Sequence, residues 1–160
     1  MIDPNHLLTA IIRPVLRDLG LGGGLAEAQV LGTACKESHC GRWLVQLEGG
    51  PARGIYQMEP ATHDDIWDRF LAHQPDISRK LNRWRAQYGN GMGPDEMVGN
   101  LYYATAMCRI HYLRVSEPLP ETLPGQAIYW KKYYNTPKGA GTEQEYVDAW
   151  RQFAPKNFLV

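Results

Sequence analysis

Leu25–Ser38, written out as LAEAQVLGTACKES, sets Ala26, Ala28, Val30, Leu31, Ala34 and Cys35 at helical spacing and ends on Glu37-Ser38. Small apolar side chains on several faces let neighbouring backbones approach closely, so this segment reads as a central helix and not a surface one. A carboxylate in the last turn of such a helix sits where the interior meets solvent. Upstream, Gly20-Leu21-Gly22-Gly23-Gly24 lacks the lysine and the serine or threonine of a phosphate-binding loop, and reads as a helix terminator and turn. Before it, Asp3-Pro4 has the form of an N-cap with a first-turn proline, and Leu7, Leu8, Ile11, Ile12, Val15, Leu16 and Leu19 recur at helical spacing. A first amphipathic helix bent at Pro14 is expected.

Downstream, Trp43-Leu44-Val45-Gln46-Leu47 and Gly54-Ile55-Tyr56-Gln57-Met58 flank Glu48-Gly49-Gly50-Pro51-Ala52-Arg53, and predict a short β-hairpin with a long turn. Beyond Pro60 the pattern is helical, with helices expected over Ala61–Leu71, Ile77–Tyr88, Asp95–Val115 and Glu143–Phe153. Breaks fall at Gln74-Pro75-Asp76, Gly89–Pro94 and Pro118–Pro124. The expected class is α+β, mostly α, with a central helix and one small hairpin. At 160 residues the chain forms one domain, 1–160.

Seventeen basic against seventeen acidic residues, with no basic run beyond Lys131-Lys132, argue against nucleic acid as a partner. Leu7–Leu19 is interrupted by Arg13, Pro14, Arg17 and Asp18, so neither stable membrane insertion nor a signal-peptide core is expected there. Cys35, Cys40 and Cys108 cannot all pair within the chain, and free thiols are the expectation. Cys108 and His111 stand one helical turn apart, a spacing zinc could use with His39 and the other cysteines. The absence of any CxxC pair argues against a zinc site.

The most specific pattern joins Glu37-Ser38 to Gly54-x-x-Gln57-x-x-Pro60-x-Thr62, with Gln57 twenty residues beyond Glu37. Further on, Asn100-Leu101 opens a segment containing Ala104, Ala106 and Tyr112-Leu113, and Tyr134-Asn135 is followed by Gly139. In this order the blocks resemble the lytic transglycosylase branch of the lysozyme superfamily, the soluble lytic transglycosylase and goose-type lysozyme group. The resemblance spans roughly residues 34–139.

It implies a peptidoglycan-cleaving enzyme with a lysozyme-like fold, no metal or organic cofactor, and Glu37 as the catalytic acid. A buried carboxyl can stay protonated near neutral pH and deliver a proton to a glycosidic oxygen. By the same resemblance Glu37 then accepts the proton of the substrate's own 6-hydroxyl, closing a 1,6-anhydro ring. Ser38 would hold Glu37, Gln57 and Met58 would line the sugar site, and Tyr134, beside Asn135, would steady the acid. Tyr56, Tyr134 and Trp43 are the aromatic residues nominated for the cleft. Trp130 and Trp150 read as core.

Glu48 departs from the family pattern. Two carboxylates flanking the bond define hydrolysis, so a Glu48 aimed into the cleft would favour a hydrolytic muramidase, an endolysin-type lysozyme. Exposed turn geometry would favour a solvated side chain. A third expectation is a non-catalytic glycan-binding or structural virion protein. Wall chemistry with no evident secretion signal suggests, by economy, a bacteriophage product made in the cytoplasm, acting on the cell wall or periplasm after release through a holin or within a virion beside tail proteins.

Overall fold

The computed structural model describes residues 1–88 and 93–158. Asp3 caps the first helix, its Oδ1 accepting the His6 N–H at 3.0 Å. The chain runs from α1 (Pro4–His6) through a π-helical stretch, Leu7–Ile12, into α2 (Arg13–Leu19) without leaving helical dihedrals. The expected disturbance at Pro14 therefore takes the form of a widened turn just before it. A proline ring crowds the preceding turn, and the wider spiral there makes room for it. Gly20, at φ 73°, closes α2 in the left-handed conformation that suits glycine.

The central helix is α3 (Gly24–Ser38), which packs against α2, α7 (Leu101–Leu113), α8 (Leu123–Trp130) and α9 (Glu143–Phe153). Its small residues explain that position. A Cβ on Gly32 would lie 2.0 Å from the Tyr146 hydroxyl, so α3 and α9 can meet only over a glycine. Around it Leu7, Ile12, Val15, Leu16, Val30 and Leu31 are fully buried. Each contributes about 1.5–3 kcal/mol relative to exposure. Several polar groups inside are paired: Thr33 Oγ1 lies 2.8 Å from the Tyr112 hydroxyl, and Gln29 Nε2 donates to the Tyr112 hydroxyl at 3.3 Å and to the Gln126 carbonyl at 3.3 Å, while the buried Oε1 atoms of Gln29 and Gln126 have no partner.

The remaining elements are α4 (Pro60–Arg69), α5 (Pro75–Tyr88) and α6 (Glu96–Gly99), with 3-10 turns at Leu47–Gly49 and Leu71–His73. The helix expected over Asp95–Val115 is divided at Asn100. Its Oδ1 accepts the Tyr103 N–H at 3.1 Å and caps α7. A helix not anticipated as an element, α8, is capped by Thr122 and runs on into a π-helical segment, Lys131–Asn135. Within the expected break at Gly89–Pro94, residues Gly89–Met92 lie outside the described residues.

The α+β class is overturned, because among the described residues there is no strand and the predicted hairpin is absent. Only two isolated bridges occur in its place, Val45 with Arg53 and Arg53 with Met58. Arg53 is shared by both, and the backbone turns immediately afterwards at Gly54, φ 74°, and again at Gln57, φ 46°. Each ribbon is a single residue long. A side chain also replaces a backbone partner: Gln46 N–H donates to the Ala52 carbonyl at 3.1 Å, but Ala52 N–H returns its bond to Gln46 Oε1. The fold is helical, with residues 39–59 as a looped insert between α3 and α4.

Candidate functional site

A cleft of about 460 Å³ opens where the looped insert faces the helices. It is lined by Glu37, Gln57, Met58, Tyr134 and Asn135, together with Trp43, Glu48, Glu59, Thr62 and His111. Residues far apart in sequence are thus gathered around one carboxyl. Glu37 is half-buried in the last turn of α3. The indole Nε1–H of Trp130, a fully buried residue, donates to its Oε1 at 2.8 Å. Burial pushes the Glu37 pKa up to about 7, opposed by the Trp130 hydrogen bond and by the positive charge of Lys36. Desolvation wins, and a carboxyl of that pKa can hold a proton near neutrality and still release it.

The elements around Glu37 fix its place. Ser38 Oγ donates to the Ile55 carbonyl at 2.6 Å and accepts the Gly41 N–H at 2.8 Å, tying the end of α3 to the insert. Ser38 therefore holds the helix end that carries Glu37 and does not itself line the cleft. Gly54 has a steric reason to be glycine beyond its positive φ, since a Cβ there would lie 2.4 Å from the Met97 carbonyl oxygen. Gln57 Nε2 donates to the Gly54 carbonyl at 2.8 Å, which braces the turn while Gln57 borders the cleft. Pro60 begins α4, and Thr62 in its first turn reaches the cleft.

Tyr134 lines the cleft, and its hydroxyl donates to the Tyr56 carbonyl at 2.8 Å. It braces the wall and does not bond the Glu37 carboxyl; the direct hydrogen bond comes from Trp130, which the sequence reading placed in the core. Trp130 is core by burial and part of the site by its nitrogen. Its spacing of four from Tyr134 puts both on one helical side, a signal that was available in the sequence. Tyr56 as a cleft aromatic is corrected: its side chain is buried, with its hydroxyl 2.9 Å from Thr105 Oγ1, and only its backbone serves the wall. Met58 is buried at the cleft edge, both core and lining.

Asn135 is held by Lys131, whose Nζ donates to Asn135 Oδ1 at 2.8 Å and to the Gly139 carbonyl at 2.7 Å. A Cβ on Gly139 would fall 2.3 Å from the Asn135 carbonyl oxygen, which explains the glycine of that block. Glu48 borders the same cleft but is exposed, on a 3-10 turn at φ 61°.

His111 is a second residue missed as a cleft component. Arg114 Nη2 donates to its Nδ1 at 3.2 Å, so Nε2 carries the hydrogen and donates to the Tyr133 carbonyl at 3.0 Å. Burial and the neighbouring Arg114 lower its pKa to about 4 and keep the ring neutral. With both nitrogens engaged it is not free to bind zinc. Among the described residues no group of three or more His, Cys, Asp or Glu side chains could hold a metal. Cys35, Cys40 and Cys108 are buried free thiols, with the Cys35 and Cys40 sulfurs 3.5 Å apart.

No protein-family model, curated protein or solved structure matches this chain. Among the described residues no helix is long and apolar enough to cross a membrane.

Proposed function

We propose that this chain cleaves the β-1,4 bond between N-acetylmuramic acid and N-acetylglucosamine in peptidoglycan, as a lytic transglycosylase with Glu37 as acid and then base. The observation that carries this reading is the Glu37 carboxyl, with a pKa of about 7, in a cleft bordered by Gln57, Met58, Tyr134 and Asn135. Three of the four sequence blocks that resemble that enzyme group thus border one cleft. Among the described residues there is no sheet, so support comes from the motif and the site, and none from fold class.

In this mechanism Glu37 gives its proton to the leaving glycosidic oxygen as the C1–O bond breaks. Positive charge develops at C1, the sugar's 6-hydroxyl oxygen closes on it, and the 6-hydroxyl proton returns to Glu37. Atoms balance without water, metal or a second carboxylate. The partner is the glycan strand, and the site of action is the cell wall. Delivery by a bacteriophage, through a holin or in a virion, belongs to the same proposal.

Hydrolysis is the second reading, and one observation favours it: Glu48 borders the same cleft. Mass spectrometry of muropeptides released from purified peptidoglycan separates the two. Anhydro products, one water lighter, are expected; hydrated reducing ends would replace the transglycosylase by a muramidase. No release by the folded wild type would overturn both and leave a glycan-binding or structural role.

A further inference from the structure

We propose that Trp130 is a positioning residue that dictates which oxygen of the Glu37 carboxyl carries the transferable proton. The inference rests on the reading of Glu37 as the acid and adds to it the source of its proton geometry.

An indole N–H can only donate, so the atom it faces must present a lone pair. Trp130 Nε1 faces Glu37 Oε1 at 2.8 Å, a distance within the range of charge-assisted hydrogen bonds. The carbonyl-type oxygen of a protonated carboxyl is the better acceptor, so Oε1 takes that role and the proton resides on Oε2. Among the described residues no other group hydrogen-bonds the Glu37 carboxyl. Trp130 is fully buried and does not line the cleft, whereas Glu37 does. Oε1 is therefore the oxygen turned into the protein, and Oε2 the one left for substrate.

Trp130 is itself held rigidly. Its ring lies 5.5 Å from that of Tyr146, Lys36 Nζ sits 5.4 Å from its centroid, and Lys36 is paired with Glu145 at 3.5 Å. A Cβ on Gly141 would come 2.6 Å from Trp130 Cη2, so the loop before α9 closes tightly over the indole edge. The donor is fixed before substrate arrives, which is the condition for preorganised stabilisation.

The consequence is a single working oxygen. Oε2 releases its proton to the glycosidic oxygen, and the anion left behind is stabilised at Oε1 by the indole. Oε2 then takes the proton of the attacking hydroxyl, and the carboxyl returns to its starting tautomer with no rotation. Without the donor both oxygens would be equivalent, and the proton would face away from the substrate part of the time.

The test replaces Trp130 by 3-benzothienylalanine, which keeps the shape of indole and has sulfur in place of the N–H, with Trp130→Phe as a second variant. Two readouts are taken on each folded protein: the pH titration of the Glu37 side-chain carboxyl carbon by NMR, assigned by its loss in Glu37→Gln, and kcat and KM on peptidoglycan. The expected result is a Glu37 midpoint moved to higher pH, a kcat lower by about 10²-fold and a KM within about twofold. An unmoved midpoint with unchanged kcat would overturn the proposal. Lower thermal stability with an unmoved midpoint would also overturn it, because Trp130 would then be packing only. If the wild type cleaves no peptidoglycan, the enzymatic reading fails, while the NMR titration still decides whether the indole governs the carboxyl.

Discussion

Two carboxylates that border the cleft, Glu37 and Glu48, have opposite surroundings. Glu37 ends a fifteen-residue helix, is half-buried, and accepts a hydrogen bond from a fully buried tryptophan. Glu48 lies on a three-residue turn, exposed, in a left-handed backbone conformation. The floor of the cleft is made by packed helices and the lip by a loop. Packed helices hold the Glu37 carboxyl protonated near neutral pH, because its shift comes chiefly from loss of solvent. On the proposed function, the difference gives proton transfer to the floor.

The largest expected effect is at the floor. Glu37→Gln keeps the shape and an acceptor for Trp130 but has no proton to transfer, so turnover should fall on the order of 10³-fold or more. Release of muropeptides at fixed enzyme concentration measures it, and a substantial residual rate would mean that another acid does the work. For the wild type, kcat/KM should fall with rising pH through about 7, as Glu37 ionises. His111, whose pKa is about 4, is neutral throughout that range and should add no second limb.

The same substitution should alter stability in the opposite sense. Folding raises the Glu37 pKa from its ordinary 4.5 to about 7, so the folded state binds the proton more tightly than the unfolded one. Below about pH 4.5 both states are protonated and nothing is lost. As pH rises toward 7 the unfolded chain releases its proton first and stability declines, and above 7 the loss is complete at about 3 kcal/mol. Glu37→Gln cannot ionise. It should match the wild type at about pH 4 and exceed it by about 3 kcal/mol at about pH 8, as read by urea unfolding. Equal stability at both pH values would show that the carboxyl is solvated and would remove the contrast with Glu48.

At the junction of floor and lip, Gly54→Ala combines a positive φ with a Cβ 2.4 Å from the Met97 carbonyl oxygen. A cost of about 2–3 kcal/mol is expected, with activity reduced through displacement of Gln57. An unchanged melting temperature would mean that the lip moves independently of α6.

Much of the floor was legible in the sequence, and little of the lip. Small residues at helical spacing announced α3, and the Glu37-Ser38, Gly54, Gln57 and Tyr134-Asn135 blocks announced which residues converge. Trp130 escaped because its ring is core by every compositional sign and only its nitrogen serves the site. Tyr56 departs in the other direction: the sequence nominates it for the cleft beside Gln57, but its side chain is buried with the hydroxyl against Thr105. The lip was misread because Trp43–Leu47 and Gly54–Met58 carry β-forming residues, and pairing requires a ladder that two positive-φ positions at Gly54 and Gln57 cut short. Propensity describes what a strand would bury, and it does not count how many consecutive pairs the backbone can make.

The smallest expected effect is also the sharpest test of the comparison. A glutamate at φ 61° and ψ 22° is strained by its Cβ, and asparagine adopts that conformation more readily. Glu48→Asn should therefore stabilise the protein by about 0.5–1 kcal/mol while removing the carboxylate. If the lip only shapes the cleft, muropeptide release should stay within about twofold of wild type and the products should remain anhydro. A stabilised variant that loses activity about 100-fold would reverse the argument. The exposed carboxylate would then be the partner that activates water, and the strain at Glu48 would be maintained for catalysis.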